Sequence, residues 1–275
     1  MTTHERDTID RASGAPLVAL TRAVPRTIVD CELTHLERTP IDYARAVDQH
    51  DQYERALAAL GVTVQRIPAE HALPDSVFVE DTVVVLDELA VIARPGAESR
   101  RPEIATMESA LAPHRLLVHI ENPGTLDGGD VLCIGRRIFV GQSGRTNHDG
   151  IRQMRELLSP FGYSVHGVEV TGCLHLKSAV TQVAPDTVLL NPAWVDASMF
   201  TEHCIAVHPN EPHAANALRV GGTVLFPAHF PRTMALLQQR GVRVHDVECD
   251  ELAKAEAGLT CCSVIVPQTS KSLAS

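Results

Sequence analysis

The sequence predicts an α/β fold in which about five strand-strand-helix-strand units close into a ring around a central pocket. Three observations carry that expectation. Helical runs stop at a glycine and pass straight into alternating strands at Leu60-Gly61-Val62, Phe161-Gly162-Tyr163 and Arg240-Gly241-Val242, as at a left-handed helix cap. Hairpins with turns at Gly135-Arg136-Arg137 and Gly221-Gly222 precede two of those helices. The whole unit recurs at roughly 40–50 residues, the spacing of propellers and related repeat arrays.

Element by element, an apolar strand at 18–21 comes first. A helix over 43–60 and an alternating strand to Ile67 follow. From Thr82 a strand turns at Asp87-Glu88 into a second strand ending at Arg94-Pro95-Gly96, then a helix over 102–111 and a strand to Val118. Residues 131–134 and 138–140 form the next hairpin, ahead of a helix over 148–158 whose Met154, Leu157 and Leu158 share a face. A hairpin over 179–183 and 187–190 follows His175. The last hairpin, 217–220 with 223–226, leads to a helix over 231–240 and a strand to Val247. A final strand at 263–266 is placed to pair with the first and shut the ring. No break in composition divides the chain, so a single catalytic domain over 1–275 is expected, with flexible tails at 1–14 and 267–275.

Composition narrows the function. The 275 residues are 44% hydrophobic and carry a net charge of −10, enough for a sizeable core and the wrong sign for nucleic acid or an anionic membrane. No apolar run nears the ~18 residues of a membrane span. The polar N-terminus lacks the order of a secretory signal. Seven cysteines, an odd number without small-scaffold spacing, point to reduced thiols in a cytoplasmic protein. There is no Cys-x-x-Cys, His-Glu-x-x-His, P-loop or Gly-x-Gly-x-x-Gly pattern, so neither a structural zinc nor a nucleotide cofactor is expected.

Four groups carry chemistry. Asp75, Glu80 and Asp81 crowd against the apolar run Thr82-Val83-Val84-Val85, and carboxylates in such a place need partners, which favours a cation site. Leu126-Asp127-Gly128-Gly129-Asp130 supplies paired glycines for close backbone approach and a positive φ, while its flanking aspartates can equally brace a turn. His175 stands in Leu174-His175-Leu176-Lys177-Ser178. Cys261 and Cys262 are adjacent in a strand-like segment, where side chains alternate faces; one thiol therefore faces a cleft and the other the core. With a histidine and carboxylates at hand, the exposed thiol is a candidate nucleophile.

Taken together and in order, these motifs resemble the dimethylarginine dimethylaminohydrolase family of the pentein superfamily of guanidine-modifying enzymes. The resemblance runs from about Val18 to Val266 and includes Arg94-Pro95-Gly96-Ala97, Ser99-Arg100-Arg101 and Arg145-Thr146-Asn147. It implies a five-bladed α/β-propeller. It also implies hydrolysis of methylated arginines to citrulline and a methylated amine through a covalent intermediate on Cys261. By the family pattern His175 is the general acid/base and Asp127 the carboxylate that orients it. Asp75, Glu80 and Asp81 surround the guanidinium, Arg100 and Arg145 hold the substrate carboxylate, and Leu33 covers the bound amino acid. The backbone of Ala255 and Glu256 grips the α-amino group. The implied partner is a small cationic amino acid, a homodimer is allowed, and an inhibitory zinc on Cys261 and His175 stays open. The alternative is a related hydrolase of another guanidino or ureido compound such as free arginine. A non-catalytic binding ring would need a catalytic group to be missing, and none is.

Overall fold

The computed structural model describes residues 15–268. Five three-stranded sheets make up the fold, each built on one plan. A central strand pairs antiparallel with one neighbour and parallel with the other. The first sheet sets β1 (Leu17–Arg22) between the C-terminal strand and β2 (Val62–Ile67), which returns after helix α1 (Tyr43–Ala59). The second contains β3 (Val83–Val85), β4 (Leu89–Ile92) and, after helix α2 (Ile104–Leu111), β5 (Leu116–His119). The third has β6 (Val131–Ile134), β7 (Arg137–Gln142), helix α3 (His148–Leu158) and β8 (Ser164–Glu169). A short helix α4 (Leu176–Ala179) opens the fourth, with β9 (Val180–Ala184), β10 (Thr187–Leu190) and β11 (His203–Ala206). The fifth comprises β12 (Leu218–Val220), β13 (Thr223–Pro227), helix α5 (Pro231–Gln239) and β14 (Val244–Val247). A one-turn helix α6 (Asp250–Ala253) then leads to β15 (Val264–Pro267), which lies antiparallel to β1.

The sheets are the blades of a ring, and the apolar core shows it. Each of five buried clusters spans one junction between neighbouring blades. Leu225 and Val247 of blade five meet Ala19 and Val62 of blade one. Leu20, Val264 and Val266 of blade one meet Val83 and Ala90 of blade two. Val84 and Leu89 pack on Val131 and Ile138, Phe139 on Val180 and Val188, and Val183 and Leu189 on Val224 and Phe226. The expected five-bladed α/β-propeller is therefore present, shut by the pairing of first and last strands. Leu20 is fully buried at the junction that β15 completes. Leu20→Ala should cost about 2–5 kcal/mol of stability, read as a lower denaturation midpoint at unchanged slope.

Local signals place the helices. Asp42 caps α1 by accepting the Arg45 amide at 3.1 Å, and Asn147 caps α3 through Gly150 at 2.8 Å. Gly61, Gly162 and Gly241 have positive φ at the helix-to-strand turns.

Three expectations need correction. The helix expected over 102–111 begins as a 3-10 turn, Glu98–Glu103, and becomes α-helical only at Ile104; Pro102 has no N–H and is accommodated in that first stretch. In the fourth blade the crossover holds no α-helix, only a 3-10 turn at Ala197–Met199 capped by Asp196. Pro267 does not begin a flexible tail: it pairs with Leu17, and the Gln268 amide donates to the Pro16 carbonyl at 2.8 Å. The tail expected at 1–14, and 269–275 of the other, lie outside the described residues.

Candidate active site

The blades deliver the candidate residues to one cleft through the loops and turns at strand ends. Gly128–Asp130 forms a 3-10 turn laid directly on the Val79–Thr82 turn. Side chains would forbid that approach. A Cβ at Gly128 would sit 2.0 Å from the Glu80 carbonyl oxygen, and one at Gly129 would sit 2.6 Å from both Asp81 Oδ1 and His175 Nδ1. Close approach is thus the reason for these two glycines. Neither is among the positive-φ residues, so that half of the expectation fails.

His175 precedes α4 in extended conformation, and its ring is held between carboxylates. Nε2 lies 3.1 Å from Asp127 Oδ2, and Nδ1 lies 3.7 Å from Asp81 Oδ1. Asp127 is itself fixed, accepting the Gly96 amide at 2.9 Å while its own amide donates to Thr146 Oγ1 at 3.1 Å. Burial alone would push the imidazole down; Asp81 first, then the Asp127 hydrogen bond and Asp130, raise it to about 9. The same contacts act on Asp81, where burial pushes upward but His175 and Arg100 win and hold the carboxyl at about 2. A buried imidazolium–carboxylate arrangement of this kind stores a proton for delivery near neutral pH.

Cys261 lies on a 3-10 turn, Thr260–Cys262, and not on the strand, which starts at Val264. The side chains therefore part around a tight turn, yet the separation of roles survives. Cys261 lines the cleft with His175, Asp81 and Phe78, whereas Cys262 packs in the core and donates towards the Gly258 carbonyl. The Gly258 amide lies 3.4 Å from Cys261 Sγ. Burial pushes the Cys261 thiol up, Glu80 and Asp81 add to this, and the Gly258 amide and Lys177 only partly oppose it. The resting group is a thiol.

Two arginines border the cleft, in different states. The Arg100 guanidinium is already engaged by Asp81, by both Glu103 oxygens and by the carbonyls of Asp75 and Phe78 at 3.3 and 3.2 Å. Arg145 is 9% exposed and is held only by long contacts: Nη1, without a hydrogen bond, lies 3.9 Å from Asp127 Oδ2, and Nη2 lies 3.4 Å from Thr34 Oγ1 and 3.6 Å from a Glu32 carboxylate oxygen. A buried guanidinium with donors so weakly engaged can take up an incoming anion. Asp75 also lines the cleft and accepts the Glu32 amide at 3.2 Å.

Glu80 goes elsewhere. It pairs with Lys177 and accepts from Thr260 Oγ1 at 2.6 Å; these three line a separate cavity of about 290 Å³. Leu33 packs on the core cluster between blades five and one. The segment after it is tied down by Glu256, whose carboxylate accepts the amides of Thr34, His35 and Leu36. Glu256 adopts φ 59, the one positive φ of a non-glycine among the described residues, and it lines the cleft beside Ala255. So latched, the cleft keeps a volume of only about 20 Å³, room for about one water and far less than an amino acid needs.

For metal, the ligand atoms that gather within 4.8 Å at this site are those of Asp81, Asp127 and His175. Cys261 is outside that set.

A sequence model described as N,N dimethylarginine dimethylhydrolase, eukaryotic, matches residues 34–198. The N(G),N(G)-dimethylarginine dimethylaminohydrolase of Streptomyces coelicolor is 41% identical over 90% of this chain and 95% of its own length. The chain belongs to the dimethylarginine dimethylaminohydrolase family. The Pseudomonas aeruginosa member is 36% identical over 89% of this chain and 97% of its own. A solved structure of that enzyme, a cysteine-to-serine mutant complexed with citrulline, superposes with a TM-score of 0.87 at 35% identity, covering 90% of this chain and 98% of that one. The chain is accordingly a hydrolase acting on carbon–nitrogen bonds, and no helix among the described residues is long and apolar enough to cross a membrane.

Sequence reasoning assigned no role to two residues that shape this cleft. Glu103 neutralises Arg100, and Asp130 accepts the Leu176 amide at 2.9 Å and the hydroxyls of Ser143 and Thr146. Asp130 was visible as the last residue of the glycine motif. Glu103 gave no signal beyond its place three residues after Arg100 on a helical stretch.

Proposed function

We propose that this protein hydrolyses Nω-methylated arginines, asymmetric dimethylarginine and monomethylarginine, to citrulline and dimethylamine or methylamine. The observation that carries the reading is the shared cleft of Cys261 with His175 and Asp81, bordered by the weakly engaged guanidinium of Arg145. Asp81 and Asp75 offer acceptors for a planar guanidinium, and Arg145 meets the α-carboxylate at the far end. Arg100 sets the Asp81 carboxylate in place and supports the carboxylate-binding face.

The chemistry follows from the charges. A substrate cation beside Cys261 opposes the carboxylates that keep its thiol protonated. The thiolate attacks the guanidinium carbon, forming a carbon–sulfur bond. His175 gives its proton to the methylated nitrogen, whose bond to carbon then breaks and releases the amine. The S-alkylthiouronium left on Cys261 is attacked by water, from which His175 takes a proton. Collapse breaks the carbon–sulfur bond; the sulfur takes up the hydroxyl proton and returns to the resting thiol, leaving the neutral ureido group of citrulline. The cation that Asp81 held is gone at that point, which favours release. Entry requires the Leu33 segment to lift from Glu256. We read the chain as a single catalytic domain acting in the cytoplasm, with light scattering to test for a homodimer.

A substrate panel tests the reading. Asymmetric dimethylarginine and monomethylarginine should yield citrulline with kcat/KM at least about tenfold above arginine, because an added N–H left unpaired in a site shaped for methyl groups is penalised. Faster turnover of free arginine than of either methylated compound would overturn the choice of substrate. Arg145→Leu should raise KM by roughly 10²-fold or more, as expected from losing a buried charged hydrogen bond worth about 3 kcal/mol.

A further inference from the structure

Asn216, on the segment ahead of β12, is 6% exposed and is not among the residues lining the candidate cleft. Its side-chain bonds go to two segments, and these are the two that carry the proposed chemistry. Nδ2 donates to the Lys177 carbonyl at 3.1 Å, in the helix that begins directly after His175. Nδ2 also donates to Thr260 Oγ1 at 3.0 Å, and Oδ1 accepts the Thr260 amide at 3.1 Å. Thr260 is the residue before Cys261. Thr260 Oγ1 passes its proton towards Glu80, and Glu80 accepts from Lys177 Nζ. A closed circuit results: Lys177 backbone, Asn216 amide, Thr260 hydroxyl, Glu80 carboxylate, Lys177 ammonium. Each donor in it meets an acceptor, and reversing the asparagine amide would set oxygen against oxygen at Lys177 and N–H against N–H at Thr260. The chain makes room for this amide, since a Cβ at Gly258 would lie 2.2 Å from Asn216 Cγ.

We propose that Asn216 is a positioning residue that fixes Cys261 relative to His175. The inference rests on the reading of Cys261 as nucleophile. A rigid planar amide bonded to both segments sets their separation, and a misplacement near 1 Å costs on the order of 10²-fold in rate. Satisfaction of buried backbone groups alone would be a structural role; the positioning role demands more, because it predicts changes in how the thiol reacts.

The test uses the full chain with Asn216→Asp and Asn216→Ala. Aspartate keeps the shape and the acceptor for the Thr260 amide but turns a carboxylate oxygen towards the Lys177 carbonyl. Three quantities are measured: kcat and KM with asymmetric dimethylarginine, the melting temperature, and the pH dependence of Cys261 alkylation by a cationic haloacetamidine. The expected result is a kcat lower by about 10²-fold with KM within about threefold. Alkylation should slow in parallel, with a displaced pH midpoint, at temperatures well below melting. Thr260→Val, which removes only the hydroxyl corner of the circuit, should move both rates the same way by a smaller factor, and it carries the test if an Asn216 variant does not fold. Unchanged kcat and alkylation, or losses that vanish once each variant is assayed well below its own melting temperature, overturn the proposal. Alkylation needs no natural substrate. A parent protein that alkylates at Cys261 but spares methylarginines sinks the substrate reading while Asn216 remains tested.

Discussion

Cys261→Ser is expected to lower citrulline release by roughly 10³-fold or more, the scale seen when a covalent nucleophile is removed. A serine hydroxyl at that position is a far weaker nucleophile, and nothing in the cleft is arranged to deprotonate it fully: His175 already carries a proton at neutral pH. Cys262→Ser should behave differently. Its thiol is buried in the junction of blades five and one, so the substitution places a hydroxyl in apolar surroundings at a cost of about 1–3 kcal/mol, while turnover by the folded fraction stays within a few-fold. Citrulline assays and thermal melts on the two variants separate the effects. Near-native turnover by Cys261→Ser would remove the covalent route altogether.

The pH profile should be unusual for a cysteine enzyme. Burial keeps the Cys261 thiol protonated, and His175 keeps its proton up to about 9. The pair thus rests with two protons, whereas attack needs a thiolate beside an imidazolium, which holds one. One proton must leave, so kcat/KM should climb about tenfold per pH unit and level off near pH 9. Asp127→Asn removes a hydrogen bond and a charge that raise His175; it should shift the limb to lower pH and cut kcat by roughly 10²-fold. Haloacetamidine alkylation of Cys261, free of the substrate's own amino titration, should follow the same limb. A profile flat from about pH 6 to 9 in both proteins would contradict the assignment. Stability carries its own signature. His175, raised from 6.5 to about 9, contributes stability that is complete below about 6.5 and fades as pH rises through 9. Asp81, held at about 2, contributes stability that is present above 3.8 and is lost as pH falls through 2.

Much of this architecture was legible because each blade repeats a local code. Gly61, Gly162 and Gly241 mark three helix-to-strand turns, and the hairpin turns sit where glycine pairs or Gly-Arg-Arg place them. Where the code weakens, so does the reading. The fourth blade lacks its helix because its crossover, with Pro192 and the Asp196 cap, folds only a 3-10 turn. Cys261 and Cys262 look like strand residues since the apolar run beside them is a strand, but the chain turns tightly before entering it. Residue type singled out Asp75, Asp81, His175 and the cysteine pair, the family resemblance added Arg145 and chose Cys261, and all five line the cleft. Neither revealed that Glu80 turns to Lys177 or that Arg100 arrives already neutralised by Asp81 and Glu103. Those outcomes depend on which buried charges meet, and that is decided by contacts across 97 and 19 residues of sequence. Asn216 offers no motif at all; only its bonds single it out.

Because β15 fastens the ring to β1 and only Ser263 separates the Cys261 turn from that strand, synthesis itself acts as a safety catch. A growing chain can assemble blades two to five as they emerge, yet it holds neither Cys261 nor a finished first blade until β15 is made. Chains cut short by early termination should then be both unstable and silent. The neighbouring placement of β1 and β15 has an engineering counterpart: the two strands can be linked directly and the chain opened at an exposed hairpin such as Gly221-Gly222, giving a protein in which Cys261 appears mid-synthesis.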